Sequence, residues 1–129
     1  MNTQTNKPTI VVDLDHTLCI PNLEYDDVER RYGQAKPMKK VIDKLNSLNY
    51  KVIIHTARRM KTHKGDIKKI IDDVYHITVT WLAKHNVKYD QIIFGKPYSD
   101  TYYLDDKALD VNRLDKFIFS ENGYVREVA

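Results

Sequence analysis

Acidic and other polar side chains follow four short apolar runs of this sequence. They are Asp13 and Asp15 after the first run, Thr56 after the second, Lys96 after the third, and Asp105 and Asp106 after the fourth. Carboxylates gathered in one place repel one another unless a cation lies among them, and Mg²⁺ prefers such oxygen ligands. A lysine and a threonine can bind the anionic part of a substrate, through a positive charge and a hydrogen-bond donor. These residue types together indicate phosphoryl transfer.

The two carboxylates after the first run suit a divided chemical task. Asp13 and Asp15 are separated by one residue, so both point to the same side while the chain stays extended. One carboxylate can attack phosphorus and form an aspartyl-phosphate, which splits one difficult step into two. The other can protonate the leaving oxygen and later accept a proton from water.

The four apolar runs predict strands. They comprise residues Ile10–Val12, Val52–Ile54, Ile92–Phe94 and Tyr102–Leu104. Because the runs are continuous rather than alternating, we expect strands that are buried on both faces, as in a parallel sheet covered by helices. In an open parallel sheet, ligands bind beyond the carboxyl ends of the strands, which is where the polar side chains lie.

The segments between the runs predict helices. Apolar residues with helical spacing extend from Met38 to Leu48 and from Ile67 to His85. Ile77-Thr78-Val79-Thr80 is a poor helix former, which predicts a break near His76. A last helix is expected near residues 111–118. The order of elements predicts an α/β fold with a doubly wound parallel sheet.

Length and composition favour one soluble domain covering residues 1–129. The chain has 42% hydrophobic and 30% charged residues, a net charge of +3 and one cysteine, Cys19. It has no apolar run long enough to cross a membrane and no signal-peptide pattern, so we expect a cytoplasmic protein without a membrane partner. The mild positive charge does not indicate a nucleic-acid binder. The five histidines lack zinc-site spacing.

The ordered motifs resemble those of the haloacid dehalogenase superfamily of phosphatases. That pattern is Asp-x-Asp-x-Thr, then Thr or Ser, then Lys, then an acidic pair, each behind a strand. Here Asp13-Leu14-Asp15-His16-Thr17, Thr56, Lys96 and Asp105-Asp106 occur in that order. The resemblance spans residues 9–107 and implies a Rossmann-like, doubly wound sheet.

The resemblance also implies a role for each matching residue. Asp13 is expected to be the nucleophile and Asp15 the acid/base, while Thr56 and Lys96 are expected to bind the phosphate. The implied cofactor is Mg²⁺.

The implied magnesium ligands come from both acidic segments. They are the Asp13 carboxylate, the backbone carbonyl of Asp15 and the Asp106 carboxylate, with Asp105 as an additional or more distant partner.

Residues near these motifs are candidates for substrate binding. His16 and Thr17 lie at the expected mouth of the site, where His16 replaces a common glycine and is read as bulk. Arg58, Arg59 and Lys61 follow Thr56 in the densest basic segment of the chain. That segment is either a solvated surface or a rim that attracts an anionic substrate. Residues 18–36 have no clear periodicity and are either a flap over the site or a surface loop.

More narrowly, the chain resembles the small capsule-biosynthesis phosphatases of the superfamily. The similar stretches are residues 56–62, 81–85 and 95–97. They imply a small phosphorylated substrate, such as a sugar phosphate or an amino-alcohol phosphate used for surface polysaccharide. No gap has room for a cap domain, so a single capless domain with a short flap is expected, and a homo-oligomer is possible.

Several alternatives remain at this stage. The substrate could be a macromolecule or a nucleotide, and a binding protein of the same fold could have lost catalysis. A two-component receiver domain uses similar residues in a different order. An Asp-x-Asp glycosyltransferase would need more chain than is present for its donor and acceptor sites.

Overall fold

A three-stranded parallel sheet organises the computed structural model, which describes residues 7–128. In chain order the elements are β1 (Thr9–Val12), β2 (Cys19–Ile20), β3 (Lys36–Pro37), α1 (Lys39–Ser47), β4 (Lys51–Thr56), α2 (Ile67–Lys84), β5 (Gln91–Phe94), β6 (Phe117–Phe119) and β7 (Val125–Glu127). A π-helical turn covers Glu29–Gly33, and a 3₁₀ segment covers Val111–Lys116. The protein is thus a small mixed α/β domain.

The central strands lie in the order β1-β4-β5. Thr9 pairs with Lys51 at one end of the first ladder, and Thr56 pairs with Phe94 at the end of the second. Helix α1 connects β1 to β4, and α2 connects β4 to β5, so both connections are βαβ units. The first three predicted strands are confirmed, and their carboxyl ends lie at one edge.

The strands were predicted to be buried on both faces of the sheet, and for the described residues this prediction is wrong. Side chains alternate, so that Val12, Val52 and Ile54 are buried while Val11 and Ile93 remain exposed. The buried face packs against both helices, with contributions from Val41, Ile42, Leu45, Trp81 and Leu82. Truncating a fully buried residue of this core such as Ile54 to Ala is expected to cost about 2–5 kcal/mol.

The fourth predicted strand, Tyr102–Leu104, is also wrong. These residues are irregular, and the side chains of Tyr102 and Leu104 are fully accessible to solvent. A parallel crossover needs about a dozen residues or more, whereas only residues 95–101 separate β5 from Tyr102. The β-propensity of Tyr102–Leu104 is therefore not sufficient for a strand, because the connection before it is too short to bring the chain back to the start of the sheet.

The helix predictions are confirmed in place but differ in detail. Helix α2 runs without the predicted break near His76, because Val74, Thr78 and Trp81 are buried on its inner face. Burial here outweighs the low helix propensity of the β-branched residues. The helix begins at an Asp66 cap whose Oδ1 accepts a hydrogen bond from Lys69 N at 3.2 Å. The predicted last helix is instead the 3₁₀ segment followed by β6.

Residues 18–36, which we call the flap, are folded rather than irregular. Its ends form the short antiparallel pair β2–β3, which joins Cys19 to Pro37. Its π-helical turn buries Tyr32 against Ile70 and Val74 of α2. The indole Nε1 of Trp81 donates a hydrogen bond of 3.0 Å to the carbonyl oxygen of Ala35. The flap is therefore attached to α2 at two places.

The strands β6 and β7 form an antiparallel hairpin near the amino end of the sheet. The Tyr50 hydroxyl donates a hydrogen bond to the Ser120 carbonyl oxygen, and the Lys44 ammonium lies over the Phe119 ring. Among residues 7–128, no helix is both long and apolar enough to cross a membrane.

Candidate functional site

The Asp13 carboxylate lies at the carboxyl end of β1, opposite Lys96. Its Oδ1 accepts a hydrogen bond of 2.8 Å from Leu14 N and lies 3.9 Å from the Lys96 Nζ. The Asp13 side chain is 38% exposed, so it remains open to a substrate. Burial raises the pKa of the Asp13 carboxyl, and the nearby Asp15 carboxylate adds to this; the Leu14 N–H and Lys96 partly oppose it.

Lys96 is positioned by the last residue of β4. The backbone N–H groups of Gly95 and Lys96 both donate to the Thr56 carbonyl oxygen, at 3.2 and 3.0 Å. Gly95 has φ of 108°, which favours glycine at this turn. The Lys96 ammonium also lies 4.2 Å from the centre of the Tyr103 ring. Three of the predicted residues are thus linked: Asp13 contacts Lys96, and Thr56 holds the Lys96 backbone.

The Thr56 side chain is buried in this arrangement. Its Oγ1 accepts a hydrogen bond of 3.0 Å from Arg58 N, which leaves the hydroxyl proton free to be donated. Because Thr56 is 1% exposed, a phosphate oxygen would meet this hydroxyl only at the base of the site.

Asp15 turns away from Lys96 and binds Arg58. The Arg58 Nε donates to Asp15 Oδ2 at 3.1 Å, and Nη2 donates to Asp15 Oδ1 at 2.5 Å. This is a two-point pairing of guanidinium with carboxylate, the geometry that arginine favours. Strand β1 ends at Val12, before both aspartates, and the two carboxylates meet different partners, Lys96 for Asp13 and Arg58 for Asp15.

Arg58 was predicted to contact substrate from an exposed rim, but the structure encloses it. Its side chain is 2% exposed. Nη1 donates to Thr78 Oγ1 at 2.9 Å, Nη2 lies 3.6 Å from the Cys19 Sγ, and the guanidinium carbon lies 4.1 Å from the Tyr32 ring centre. The group therefore faces Asp15 rather than solvent.

The other basic candidates for substrate binding, Arg59 and Lys61, differ in their contacts and exposure. Arg59 has φ of 63°, donates from Nη2 to the Asp26 carbonyl oxygen at 3.1 Å, and has its Nε 3.3 Å from Asp73 Oδ2. It therefore joins the loop after β4 to the flap and to α2. Lys61 is exposed, with its Nζ 5.7 Å from the Tyr98 ring centre.

The residues after Asp15 form a tight turn. His16 has φ of 66°, is exposed, and donates from its N–H to the Cys19 carbonyl oxygen at 2.7 Å. The Thr17 N–H donates to the Leu14 carbonyl oxygen at 3.2 Å. His16 is therefore at the surface beside Asp13 and Asp15.

The acidic pair Asp105–Asp106 lies in an exposed, irregular segment. The Lys107 N–H donates to Asp105 Oδ1 at 3.0 Å, and this bond lowers the pKa of Asp105. Within residues 7–128, no three side chains of His, Cys, Asp or Glu are grouped so as to hold a metal ion. The structure therefore does not gather the four predicted magnesium ligands.

Two surface cavities lie away from these residues. One of about 440 Å³ is lined by Lys40, Asp43, Lys44, Leu114, Asp115 and Phe117. Another of about 390 Å³ lies near Tyr50 and Val87. Neither contains a residue of the predicted site, which is an open edge of the sheet.

Sequence reasoning missed three neighbours of Arg58. The predicted site residues do not include Tyr32, Thr78 or Cys19. One signal was present, because Ile70, Val74 and Thr78 are spaced four residues apart on a buried helix face. A hydroxyl at such a position predicts a buried polar partner.

Comparison with known proteins leaves the activity open. No family model and no curated protein matches the chain. A target protein from Vibrio cholerae has a crystal structure that matches with 35% identity and a TM-score of 0.70, over 81% of this chain and 85% of that chain. A chain of the Pnkp1/Rnl/Hen1 RNA repair complex matches with 22% identity and a TM-score of 0.46, over 76% of this chain and 29% of its own length. By identity and coverage, the chain belongs to the same family as the Vibrio cholerae protein.

Proposed function

We propose that the protein is a phosphomonoester hydrolase of the haloacid dehalogenase superfamily that acts through an aspartyl-phosphate. The observation that carries the proposal is the open Asp13 carboxylate 3.9 Å from the Lys96 ammonium. A carboxylate beside a fixed cation can attack a phosphate whose oxygens are neutralised by that cation. The Thr56 hydroxyl, from the residue whose carbonyl oxygen holds the Lys96 N–H, adds a hydrogen-bond donor.

The proposed reaction has two steps. In the first, an oxygen of Asp13 bonds to phosphorus, the ester P–O bond breaks, and the leaving oxygen takes a proton from Asp15. In the second, water attacks phosphorus and gives a proton to Asp15, the bond between phosphorus and the Asp13 oxygen breaks, and inorganic phosphate and the Asp13 carboxylate are released. Both oxygens of Asp15 accept hydrogen bonds from Arg58. One of them has to be freed from Arg58, or shared with it, while the proton moves.

Magnesium dependence is part of the proposal. A divalent ion would be held by Asp13, the Asp15 carbonyl and the Asp105–Asp106 pair, and would neutralise phosphate charge. The residues do not fit such a site as they are arranged here, because Asp105 and Asp106 lie in the exposed segment and the described chain has no group of three ligands.

For the substrate we propose a small phosphorylated metabolite, a sugar phosphate or an amino-alcohol phosphate of surface-polysaccharide synthesis. The support is the resemblance of the loops after β4 and β5 to capsule-biosynthesis phosphatases. A cytoplasmic location and a capless, doubly wound fold belong to the same proposal. A nucleotide, a phosphorylated macromolecule, or binding without catalysis are the alternatives that a substrate screen separates.

The test is hydrolysis of an aryl phosphate with Mg²⁺ and with EDTA. We expect turnover that requires the metal and is abolished by Asp13→Asn, since the amide keeps the volume but cannot attack. Asp72→Asn is the matched control, because Asp72 is an exposed aspartate paired with Lys68 on α2. Activity of more than a few per cent of wild type in Asp13→Asn would contradict the assigned nucleophile. A screen of phosphorylated metabolites then identifies the substrate.

A further inference from the structure

Asp15 has few groups that fix its side chain. Among the described residues its carboxylate contacts Arg58 at both oxygens and the Cys19 Sγ at 3.4 Å. A thiol is a weak hydrogen-bond donor, so it cannot set the direction of a carboxylate by itself. The orientation of Asp15 therefore depends mainly on Arg58.

Arg58, in contrast, is held from three sides by three different parts of the fold. Oγ1 of Thr78 in α2 accepts from Nη1, the Tyr32 ring of the flap has its centre 4.1 Å from the guanidinium carbon, and Oγ1 of Thr56 in β4 accepts from the Arg58 backbone N–H. A guanidinium is planar with donors in fixed directions, so these contacts determine where its remaining donors point. They point at Asp15.

We propose that Arg58 is a positioning residue that aims the Asp15 carboxyl, and that Tyr32 and Thr78 act through it. The inference rests on the proposed function, which gives Asp15 the acid/base role. It also means that catalysis depends on the flap. Tyr32 of the flap is buried beside Arg58, so its effect on the reaction is indirect and passes through Arg58 and Asp15. Because its side chain is enclosed, Arg58 serves the proton transfer and not substrate binding.

Charge supports the same conclusion. A buried guanidinium that loses its carboxylate partner is an uncompensated charge, which is strongly destabilising. Asp15 is thus the counter-charge that makes the buried Arg58 tolerable, and Arg58 is the group that orients Asp15. Substitutions at the two positions should therefore be non-additive.

The first experiment measures kinetics of Arg58→Lys with two phosphate esters, an aryl ester with a good leaving group and an alkyl ester with a poor one. We expect kcat for the alkyl ester to fall by about 100-fold, the scale of general acid catalysis, with KM changed by less than about threefold. The loss for the aryl ester should be smaller, since its leaving group needs less protonation. Equal losses for both esters, or a rise in KM with kcat unchanged, would overturn the proposal.

Matched pairs separate positioning from general damage. Thr78→Ser keeps the hydroxyl and should keep the wild-type preference between the two esters, while Thr78→Val removes the acceptor and should reproduce the Arg58→Lys pattern. Tyr32→Phe keeps the ring and should resemble wild type, whereas Tyr32→Leu should not. Arg113→Lys, at an exposed arginine paired with Glu127, is the control. If Thr78→Val and Tyr32→Leu retain the wild-type preference, the proposal is wrong.

A measurement without turnover separates this inference from the proposed function. Thermal unfolding of Arg58→Leu, Asp15→Asn and the double variant in metal-free buffer should show that the double variant loses less than the sum of the single losses. If wild type hydrolyses neither ester, the proposed function fails, and Arg58 has no acid/base to position. If wild type is active but the losses simply add, the enzyme stands and the Arg58 inference fails.

Discussion

The Lys96 ammonium lies 3.9 Å from Oδ1 of Asp13, although the two residues follow the two outer strands of the central sheet, β5 and β1. Strand β4 lies between those strands, and the carbonyl oxygen of its last residue, Thr56, accepts hydrogen bonds from the N–H groups of Gly95 and Lys96. The carboxyl ends of three parallel strands thus combine to place one cation against one carboxylate. This relationship leads to predictions on pH, stability and backbone geometry.

The pKa of the Asp13 carboxyl should lie above the range of an exposed aspartate in the metal-free protein. Burial raises this pKa, and Lys96 opposes the rise. Lys96→Met removes the lowering effect and should move the Asp13 titration to higher pH, as followed by NMR of the side-chain carboxyl carbon in EDTA. The exposed Lys61 is the control, and Lys61→Met should leave the Asp13 titration where it is. An unchanged Asp13 pKa in Lys96→Met would contradict the prediction.

Asp13→Asn should stabilise the metal-free fold at neutral pH. A carboxyl whose pKa is raised on folding contributes stability that is complete below its unfolded pKa and is lost as pH rises through its folded pKa. At neutral pH the wild type carries that loss and the amide does not. Thermal unfolding in EDTA should therefore give a higher Tm for Asp13→Asn, with the difference shrinking in acid. A lower Tm at neutral pH would contradict the prediction.

Gly95→Ala should lower both stability and phosphate binding. Gly95 has φ of 108°, which is farther from the left-handed region open to L residues than the φ of Gly65, and an added Cβ would lie 2.7 Å from Ile67 Cδ1, so that the Ile67 side chain would have to rotate away. Gly65 has φ of 81°, and the atom nearest to a Cβ added there is 3.9 Å away. A substitution at Gly65 therefore strains the backbone without a collision. Gly65→Ala should cost about 1–2 kcal/mol, measured by urea unfolding, and Gly95→Ala should cost more. Only Gly95→Ala should raise KM, because Lys96 is the next residue. Equal losses for both variants would argue against the predicted collision.

Cys19 should react slowly with iodoacetamide in the folded protein. Its side chain is fully buried, and burial together with the Asp15 carboxylate raises the pKa of the thiol well above its usual range. Alkylation followed by mass spectrometry should therefore be complete in urea and slow in buffer, at any pH where the fold is intact. Fast modification of folded protein would show that the turn between Asp15 and Cys19 opens.

The central strands and the start of the site were predictable because each rests on local sequence. Short β-branched runs predicted β1, β4 and β5 to within a few residues, and the polar residues behind two of them, Asp13 and Lys96, do meet. The Tyr102–Leu104 run is also short, continuous and apolar, yet it forms no strand, because the chain before it is too short for a crossover. The β-propensity of a short run carries no information about the length of the connection that precedes it.

The setting of Asp15 was not predictable for a different reason. Its partner Arg58 is fixed by Thr78 and Tyr32, which come from a helix and from a segment without periodicity. Nothing in the spacing of these residues relates them to one another. From the sequence, the basic pair Arg58-Arg59 looks like part of a solvated surface. In the structure the flap covers the pair, and both side chains are mostly buried.

The hydrogen bond from Trp81 to Ala35 gives the protein a built-in optical reporter. Trp81 is the single tryptophan of the chain, and it is almost fully buried where α2 meets the end of the flap. Its emission should be blue-shifted while the flap is seated, and should move to longer wavelength, with easier quenching by iodide, when the flap lifts. Flap opening can thus be followed by intrinsic fluorescence in the native sequence, without an attached dye.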